Sequence, residues 1–334
     1  MTRHVAWDRG VALVECDLWL DPLTVRERAF VSHAHADHVR RHRLALMTPD
    51  TLALLPPNRR PRQARLLGLG ETDELGAATV ALHDAGHMLG SAQLLVELEG
   101  HRLLYTGDLR LRRPGGGPEV EVPRADVLVI ESTYGRPGFR FPDPDAVVGE
   151  IASWCRRLLE RGVTPVLLAH ALGKTQELMR ALAPHGLRFA LDPRCVPFTR
   201  AYEAAGLELP SWEELDGREL TAARPQRAGN VLEGRVVLAP PAGKGTVRRL
   251  GRRRVALVSG WAQDPRFWRM FGADCAFPLS DHCDFLDLLA VVERSGAGKV
   301  YTVHGFAEEF ARQLRRRGIE AHALHLSEQL RLSL

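Results

Sequence analysis

The sequence predicts an α/β fold with a β-rich first part and an α/β unit after it. In the first part, short apolar runs are interrupted by glycine, proline and aspartate, which is typical of strands joined by turns. From about Asp145, amphipathic segments of helical length alternate with short apolar strands. A chain of 334 residues is long enough for one large domain or for a domain with a substantial insertion.

The expected elements follow from these patterns in chain order. The first part predicts strands at 11–15, 29–31, 79–82, 92–98, 102–106 and 127–130. The α/β unit predicts helices at 145–161, 174–182 and 198–205 and strands at 165–169, 235–239 and 255–258. The chain end predicts a helix near 285–293, a strand at 299–303 and a helix at 307–316, and its pattern alone fits either part. The proline- and glycine-rich stretches 112–118 and 136–144 are the loop candidates.

Composition is that of an ordinary globular protein, with 45% hydrophobic and 26% charged residues. The amino terminus lacks the apolar core of a signal peptide, and no stretch approaches the roughly 18 apolar residues of a membrane span. We therefore interpret the chain as cytoplasmic, without a membrane partner. Five cysteines without a C-x-x-C pair predict neither a disulfide framework nor a cysteine zinc site.

The basic residues are nearly all arginine, and the formal net charge is +4. Arginine presents a planar fork to phosphate, so the runs 59–60, 252–254 and 315–317 are candidates for contacts with a polyanion. Solvated surface is the alternative interpretation of any single run. The charge permits a nucleic-acid substrate without requiring one.

The segment 32–38 is the strongest chemical signal, because it places His33, His35, Asp37 and His38 directly after a predicted strand. Imidazole and carboxylate groups suit zinc and similar divalent ions. The spacing of His33 and His35 lets both rings point the same way from an extended turn. Asp37 and His38 are expected to begin the following helix. A histidine-rich loop without metal is the alternative, but the small residues between the ligands favour a crowded metal site.

Three more positions support a metal site. His87 lies in a turn-rich stretch just before a predicted strand, and Asp108 follows a strand at a point where a carboxylate can bridge two ions. His304 also follows a predicted strand. Each alone is more often a capping or core-edge residue, whereas their combination in this order favours a metal centre.

The pattern H-x-H-x-D-H, followed by a lone histidine, an aspartate and a terminal histidine, resembles the metallo-β-lactamase superfamily from about residue 17 to 305. The resemblance implies an αββα sandwich that binds two divalent metal ions, zinc or manganese. It implies that one ion is bound by His33, His35 and His87, the other by Asp37, His38 and His304, with Asp108 between them. It also implies that Asp21 orients the histidine loop from behind, and Asp17 is the competitor for that role.

The stretch between roughly 137 and 260 has no counterpart in simple hydrolases of this superfamily, such as glyoxalase-type thioesterases. With it, Glu131 in E-S-T-Y-G, His282 in L-S-D-H and His304 in V-H-G resemble three extra motifs of the β-CASP nucleases. The resemblance implies a metallo-β-lactamase domain formed by 1–136 and 263–334, and an inserted α/β β-CASP domain at 137–262. We expect the insertion to cap the metal face and to leave room for a single strand.

The catalytic candidates are Asp37, Glu131 and His282. A leaving sugar oxygen needs a proton, and His282, polarised by Glu131, is the expected donor. Ser91, Thr133 and Lys174 are further candidates for contacts with the substrate phosphate.

The sequence also resembles bacterial DNA-ligase-associated exonucleases. This implies a nucleic-acid substrate, a DNA exonuclease of single-stranded ends, and an ATP-dependent DNA ligase and a helicase as partners. Within the β-CASP branch, however, a histidine such as His304 at the third motif accompanies RNA-acting members, so a ribonuclease is the alternative. Overall similarity favours DNA.

Two functions of other classes compete with a nuclease. A thioester or lactone hydrolase would use the same metals, but the insertion and His282 argue against it. A non-catalytic nucleic-acid-binding subunit is disfavoured by the intact ligand set. Two weaker signals carry little: the stretch 242–246 lacks the first glycine of a nucleotide loop, and Trp261 and Trp268 suit buried packing as well as base stacking.

Overall fold

The computed structural model describes residues 5–215 and 234–324. These residues fall into two compact units. Of the described residues, the first unit comprises 5–112, 118–140 and 282–324, and the second comprises 113–117, 141–215 and 234–281. Within the described ranges, no helix has the length and apolar character needed to cross a membrane.

The first unit contains two sheets. The six strands of the first sheet lie side by side in chain order: β1 (Val5–Trp7), β2 (Val11–Leu13), β3 (Leu18–Leu20), β4 (Arg28–Phe30), β5 (Leu44–Met47) and β6 (Gln63–Leu66). The second sheet contains β7 (Thr72–Leu75), β8 (Ala78–Asp84), β9 (Ala92–Leu98), β10 (His101–Tyr105), β11 (Val127–Glu131), β18 (Lys299–Val303) and β19 (Glu320–Ala323). Its order is β19-β18-β11-β10-β9-β8-β7, so the chain end adds two strands beside β11.

Two buried clusters cover the two faces of the second sheet. One contains side chains from both sheets, among them Leu20 and Phe30 from the first and Leu94 and Val129 from the second. The other packs the opposite face against the helices α7 (Phe285–Ser295) and α8 (Ala307–Arg315). The terminal segment therefore completes the core of the first unit, which its sequence pattern alone left undecided.

The second unit is built on one parallel sheet. Its strands are β12 (Thr164–Leu168), β13 (Arg188–Leu191), β14 (Trp212–Glu214), β15 (Arg235–Ala239), β16 (Arg253–Val258) and β17 (Cys275–Phe277), in the order β14-β13-β15-β12-β16-β17. Its helices are α2 (Pro144–Glu160), α3 (Lys174–Leu182), α4 (Val196–Ala204), α5 (Lys244–Arg249) and α6 (Pro265–Met270). Apolar clusters lie on both faces of the sheet, as a parallel sheet requires.

Several element boundaries differ from the sequence expectation. The strand expected at 11–15 ends at Leu13, where a short 3-10 turn, Val14–Cys16, begins. Asp37 does not begin a helix: residues 36–38 form a turn, and the first helix, α1 (Pro49–Leu54), begins after Thr48, whose hydroxyl caps it. The second unit extends to Asp281 instead of 262, because β17 pairs in parallel with β16.

Further 3-10 turns connect these elements. They are Pro57–Arg59, Ala183–His185, Pro241–Gly243 and Gly260–Gln263. The stretch 242–246, considered above as a nucleotide loop, thus forms the end of one such turn and the start of α5.

Candidate metal and catalytic site

The residues expected at the metal site follow the ends of strands in the first unit. β10, β11 and β18 are parallel, so their carboxyl ends lie at one edge of the sheet. Asp108 follows β10, Glu131 ends β11, and His304 follows β18. The turn after β8 contributes His87, and the loop after β4 in the first sheet contributes the histidine segment.

Seven positions were expected to bind metal, and six of them lie together. The ligand atoms of His33, His35, His87 and Asp108 lie within 4.8 Å of one another, and so do those of His38, Asp108 and His304. Asp108 belongs to both groups: its Oδ2 atom lies 3.5 Å from Nε2 of His33 and 3.5 Å from Nε2 of His38. This is the position expected for a bridging carboxylate.

His33 provides the most direct evidence that the cluster fits a cation. Its side chain is buried, and Nε2 has no hydrogen-bond partner among the described residues. Burial, and then the neighbouring histidines, lower the pKa of His33 well below its usual range. A neutral imidazole with an unpaired buried nitrogen is the form that binds a divalent metal. The donor set therefore fits the ions that the sequence pattern implies.

Asp21 lies beneath this cluster and contacts the histidine loop. It is buried, and its carboxylate accepts hydrogen bonds from the Ser32 amide at 2.8 Å and from the Ser32 hydroxyl, and lies 2.9 Å from Nδ1 of His38. The Tyr105 hydroxyl donates to Asp21 at 2.9 Å. Asp17, the competing candidate, lies instead beside Arg28 with a side chain 61% exposed. Sequence reasoning missed Tyr105, whose strand position gave no signal beyond a core residue.

In the absence of a bound metal ion, the charges around His38 favour its protonated form. Burial opposes the charge, but Asp108 and Asp21 outweigh it and raise the pKa of His38 to about 10. The pKa of Asp21 is lowered, since His38 and the Ser32 hydrogen bonds overcome burial. Two carboxylates thus face one buried imidazole, an arrangement that a bound cation would also satisfy.

The loop of Asp108 packs directly against the histidine loop. Gly107 has a φ of +55°, and a Cβ atom there would lie 2.7 Å from Cβ of Ser32. A side chain would therefore both strain the backbone and push the two ligand loops apart.

Asp37 is the expected ligand that lies at the margin. Its side chain is 79% exposed, and its Oδ2 atom is 3.8 Å from Nε2 of His38. It belongs to neither of the two ligand groups. His304 is different: its ring centre lies 5.3 Å from that of His38, and burial lowers its pKa.

Glu131 and His282 form a pair beside the metal cluster. Glu131 is fully buried and accepts hydrogen bonds from the amides of Leu109 at 3.0 Å and Thr133 at 3.1 Å. Nδ1 of His282 lies 2.9 Å from Oε1 of Glu131, and its ring centre lies 4.7 Å from that of His87. Burial would raise the pKa of Glu131, but the charge and hydrogen bond of His282 lower it.

Ser91, Thr133 and Lys174, the three candidates for phosphate contacts, form hydrogen bonds or an ion pair within the protein. The Ser91 side chain is buried, and its hydroxyl bonds to the backbone of Met88, which fixes the turn around His87. The backbone amide of Thr133 donates to Glu131. Lys174, in the second unit, is buried and pairs with Glu177 at 2.7 Å. These positions do not support phosphate contacts by Ser91 or Lys174, because structural hydrogen bonds and an ion pair engage their polar groups.

Comparison with known proteins gives relatives but no matching family model. A protein named probable DNA ligase from Opitutus terrae is 39% identical over 339 aligned positions, which cover 100% of this chain and 32% of the relative. A ribonuclease from Thermus thermophilus is 34% identical over 131 positions, covering 39% of this chain and 30% of the relative. The chain thus spans about a third of the length of these relatives.

A solved structure shares the fold. The crystal structure of a protein of unknown function from Enterococcus faecalis V583 matches with a TM-score of 0.58 and 15% identity, covering 90% of this chain and 79% of that one. The ribonuclease relatives are β-CASP proteins of the metallo-β-lactamase superfamily. In sequence and in the order of its ligand motifs, the chain is thus similar to the β-CASP branch of the metallo-β-lactamase superfamily.

Proposed function

We propose that this protein is a two-metal-dependent nuclease, and that it is an exonuclease acting on single-stranded DNA ends. The observation that carries the proposal is the buried histidine–aspartate cluster next to the Glu131–His282 pair. A hydrolase of small acyl substrates needs only the histidine–aspartate cluster. A phosphodiesterase also needs a proton donor for the leaving alkoxide, such as His282. We further propose an αββα sandwich for the first unit, supported by the core shared between its two sheets.

In this proposal, His33, His35 and His87 would hold one ion and His38 and His304 the other. Asp108 would be a ligand of both, and Asp37 would complete the second site from the margin. Zinc or manganese suits these donors. When bound, such ions supply positive charge to the scissile phosphate and activate the attacking water. Asp21 and Ser32 keep the histidine rings in a fixed orientation.

The chain's own acid–base chemistry lies in His282. Glu131 accepts a hydrogen bond from Nδ1 and so fixes the orientation of the ring. The other ring nitrogen, Nε2, then carries the proton that is transferred. Transfer of that proton to the leaving sugar oxygen avoids an alkoxide. The buried carboxylate of Glu131 stabilises the charged imidazole before the transfer, as an orienting acid does in other histidine sites.

The choice of DNA is supported by the comparisons in one respect. The relative that aligns with the whole of this chain is named a probable DNA ligase, while the relative named a ribonuclease aligns with 39% of the chain. A DNA ligase is therefore the partner activity that we propose, with a helicase beside it. The RNA-named relatives keep a ribonuclease as the second candidate.

The deciding experiment compares end-labelled DNA and RNA of one sequence, single- and double-stranded, with 5′-phosphate or 5′-hydroxyl ends. We expect metal-dependent shortening of single-stranded DNA from an end, abolished in Asp108→Asn. Faster cleavage of RNA than of DNA would make the ribonuclease the correct assignment. Hydrolysis of an acyl-glutathione thioester, with no cleavage of either polymer, would contradict the nuclease proposal.

A further inference from the structure

A basic pocket lies beside the histidine loop, outside the metal cluster. It has a volume of about 380 Å³ and is lined by Ala36, Val39, Arg40, Arg41, Asn58 and Arg59. All six belong to the first unit. None is among the clustered ligands or in the Glu131–His282 pair, so the chemistry described above does not account for the pocket.

The stretch of sequence that forms this pocket is basic. The stretch 36–62 contains six arginines and two aspartates, a net charge of +4, which equals the formal net charge of all 334 residues. An uneven distribution of this kind creates a local positive potential that attracts anions.

In the part of the chain that the structure describes, the arginines of the pocket are not paired with acids. Arg40 donates to the backbone carbonyls of Leu23 and Ala36, and Arg59 donates to the carbonyl of Ala36 at 2.8 Å. Within 5–215 and 234–324, neither they nor Arg41 form an ion pair with a carboxylate. Arginines elsewhere do, as in the pair between Arg136 and Glu309 at 2.6 Å.

The backbone links the pocket to the metal site. Nη1 of Arg40 lies 3.3 Å from the carbonyl oxygen of Asp37, whose carboxylate is 3.8 Å from Nε2 of His38. A group bound in the pocket would therefore lie next to the loop that supplies the ligands. Guanidinium groups that are hydrogen-bonded to backbone carbonyls are already ordered before the ligand binds, which lowers the entropic cost of binding.

We propose that this pocket, formed by Arg40, Arg41, Arg59 and Asn58, binds a phosphate of the substrate strand other than the scissile one. The proposal rests on the proposed nuclease function and names a subsite for it. The guanidinium groups and the Asn58 amide supply N–H donors, which is the chemistry that recognises a phosphate oxygen. The phosphate is either the terminal group of the strand or an internal one, since both present the same oxygens.

The test removes two charges from the pocket and two from elsewhere. Arg41→Ala/Arg59→Ala is compared with the matched control Arg156→Ala/Arg157→Ala, which takes the same charge from exposed positions on α2. Each protein is assayed on single-stranded DNA with a 5′-phosphate or a 5′-hydroxyl, and on a nitrophenyl ester of thymidine monophosphate, which has one phosphate only. Metal content and binding to DNA in chelator are measured in parallel.

We expect the pocket variant to raise KM and Kd for DNA about tenfold, the effect of removing one or two charge-assisted hydrogen bonds. The slope of log Kd against log salt should fall by roughly 0.7 for each phosphate that the variant no longer neutralises. Hydrolysis of the nitrophenyl ester, metal content and the control variant should be unchanged. A weaker affinity restricted to 5′-phosphorylated DNA assigns the terminal phosphate, and an equal weakening for both ends assigns an internal one.

The proposal is overturned if the pocket variant binds DNA with the same Kd and salt slope as the control. It is also overturned if hydrolysis of the nitrophenyl ester falls equally or if the variant binds less metal, because the arginines would then act through the histidine loop. A wild-type protein that binds DNA through the pocket but cleaves no polymer would contradict the proposed nuclease function and not the pocket. Failure of the pocket proposal can therefore be told apart from failure of the proposed function.

Discussion

Nδ1 of His282 lies 2.9 Å from Oε1 of Glu131, although 151 positions separate the two residues. Glu131 is fully buried at the end of β11, whereas the His282 side chain is 17% exposed. A buried carboxylate therefore holds a ring that can still reach a substrate. This is the geometry expected of an orienting acid and a proton donor, and it leads to the first prediction.

His282→Ala should slow cleavage of DNA by ~10²–10⁴-fold while both metal ions remain bound, because the sugar alkoxide would leave without a proton. On a nitrophenyl nucleotide, whose leaving group needs no proton, most of this decrease should disappear. Single-turnover rates on both substrates, together with metal analysis, provide the measurement. Glu131→Gln is the companion variant and should show the same pattern. An equal decrease on both substrates would exclude the proton-donor role.

Asp108→Ala should bind less metal than any single histidine variant, because Asp108 belongs to both ligand groups. Wild-type protein loaded with zinc or manganese should hold about two ions per chain. Metal analysis after dialysis measures the content, with Glu27→Ala as the control, since Glu27 is an exposed partner of Arg43. One ion per chain in the wild type, or full content in Asp108→Ala, would contradict the bridging role.

Asp21→Asn should weaken metal binding by roughly 10- to 100-fold without removing a direct ligand. The cause is the removal of charge behind His38 and of an acceptor for the Ser32 hydroxyl. Tyr105→Phe removes only one hydrogen bond to Asp21 and should have a smaller effect in the same direction. Competition with a chelator measures both affinities. Asp17→Asn is the matched control, and a larger effect there than at Asp21 would reverse the assignment.

His42 should make the protein less stable as the pH falls from 7 towards 4.5. Its ring is buried, its Nδ1 atom accepts from the Arg26 amide at 3.1 Å, and burial lowers its pKa to about 4. Between that value and the usual 6.5, the unfolded chain binds more protons than the folded one, so acid favours unfolding. The stabilisation is complete above 6.5 and decreases by about 1.4 kcal/mol for each pH unit within this window.

The variant His42→Gln isolates this contribution. Chemical denaturation of both proteins at several pH values gives the difference in the free energy of unfolding, in which the titration of the other groups cancels. The advantage of the wild type should shrink as the pH is lowered. Parallel pH profiles would show that the His42 pKa is not depressed in the folded protein.

The sequence alone was sufficient to predict which residue types form the candidate metal site and where the longer helices and strands lie. Four candidate ligands within six positions, followed by His87, Asp108 and His304, have the donor chemistry of one metal centre, and the structure brings six of the seven together. The helix expected at 174–182 and the strands at 92–98 and 299–303 have these same bounds in the structure. Such elements are long enough for hydrophobic periodicity to identify them.

Tertiary packing determined the short strands and the position of each candidate site residue. Strands of three or four residues, such as β3 and β5, contain too few positions to show an alternating pattern, and pairing with their neighbours defines them. Asp17 and Asp21 are equivalent by composition, yet only Asp21 is buried beneath the histidine loop. Asp37 has the chemistry of a ligand but lies mostly exposed. Burial and long-range contacts, such as Tyr105 with Asp21 across 84 positions, arise only when distant strands come together.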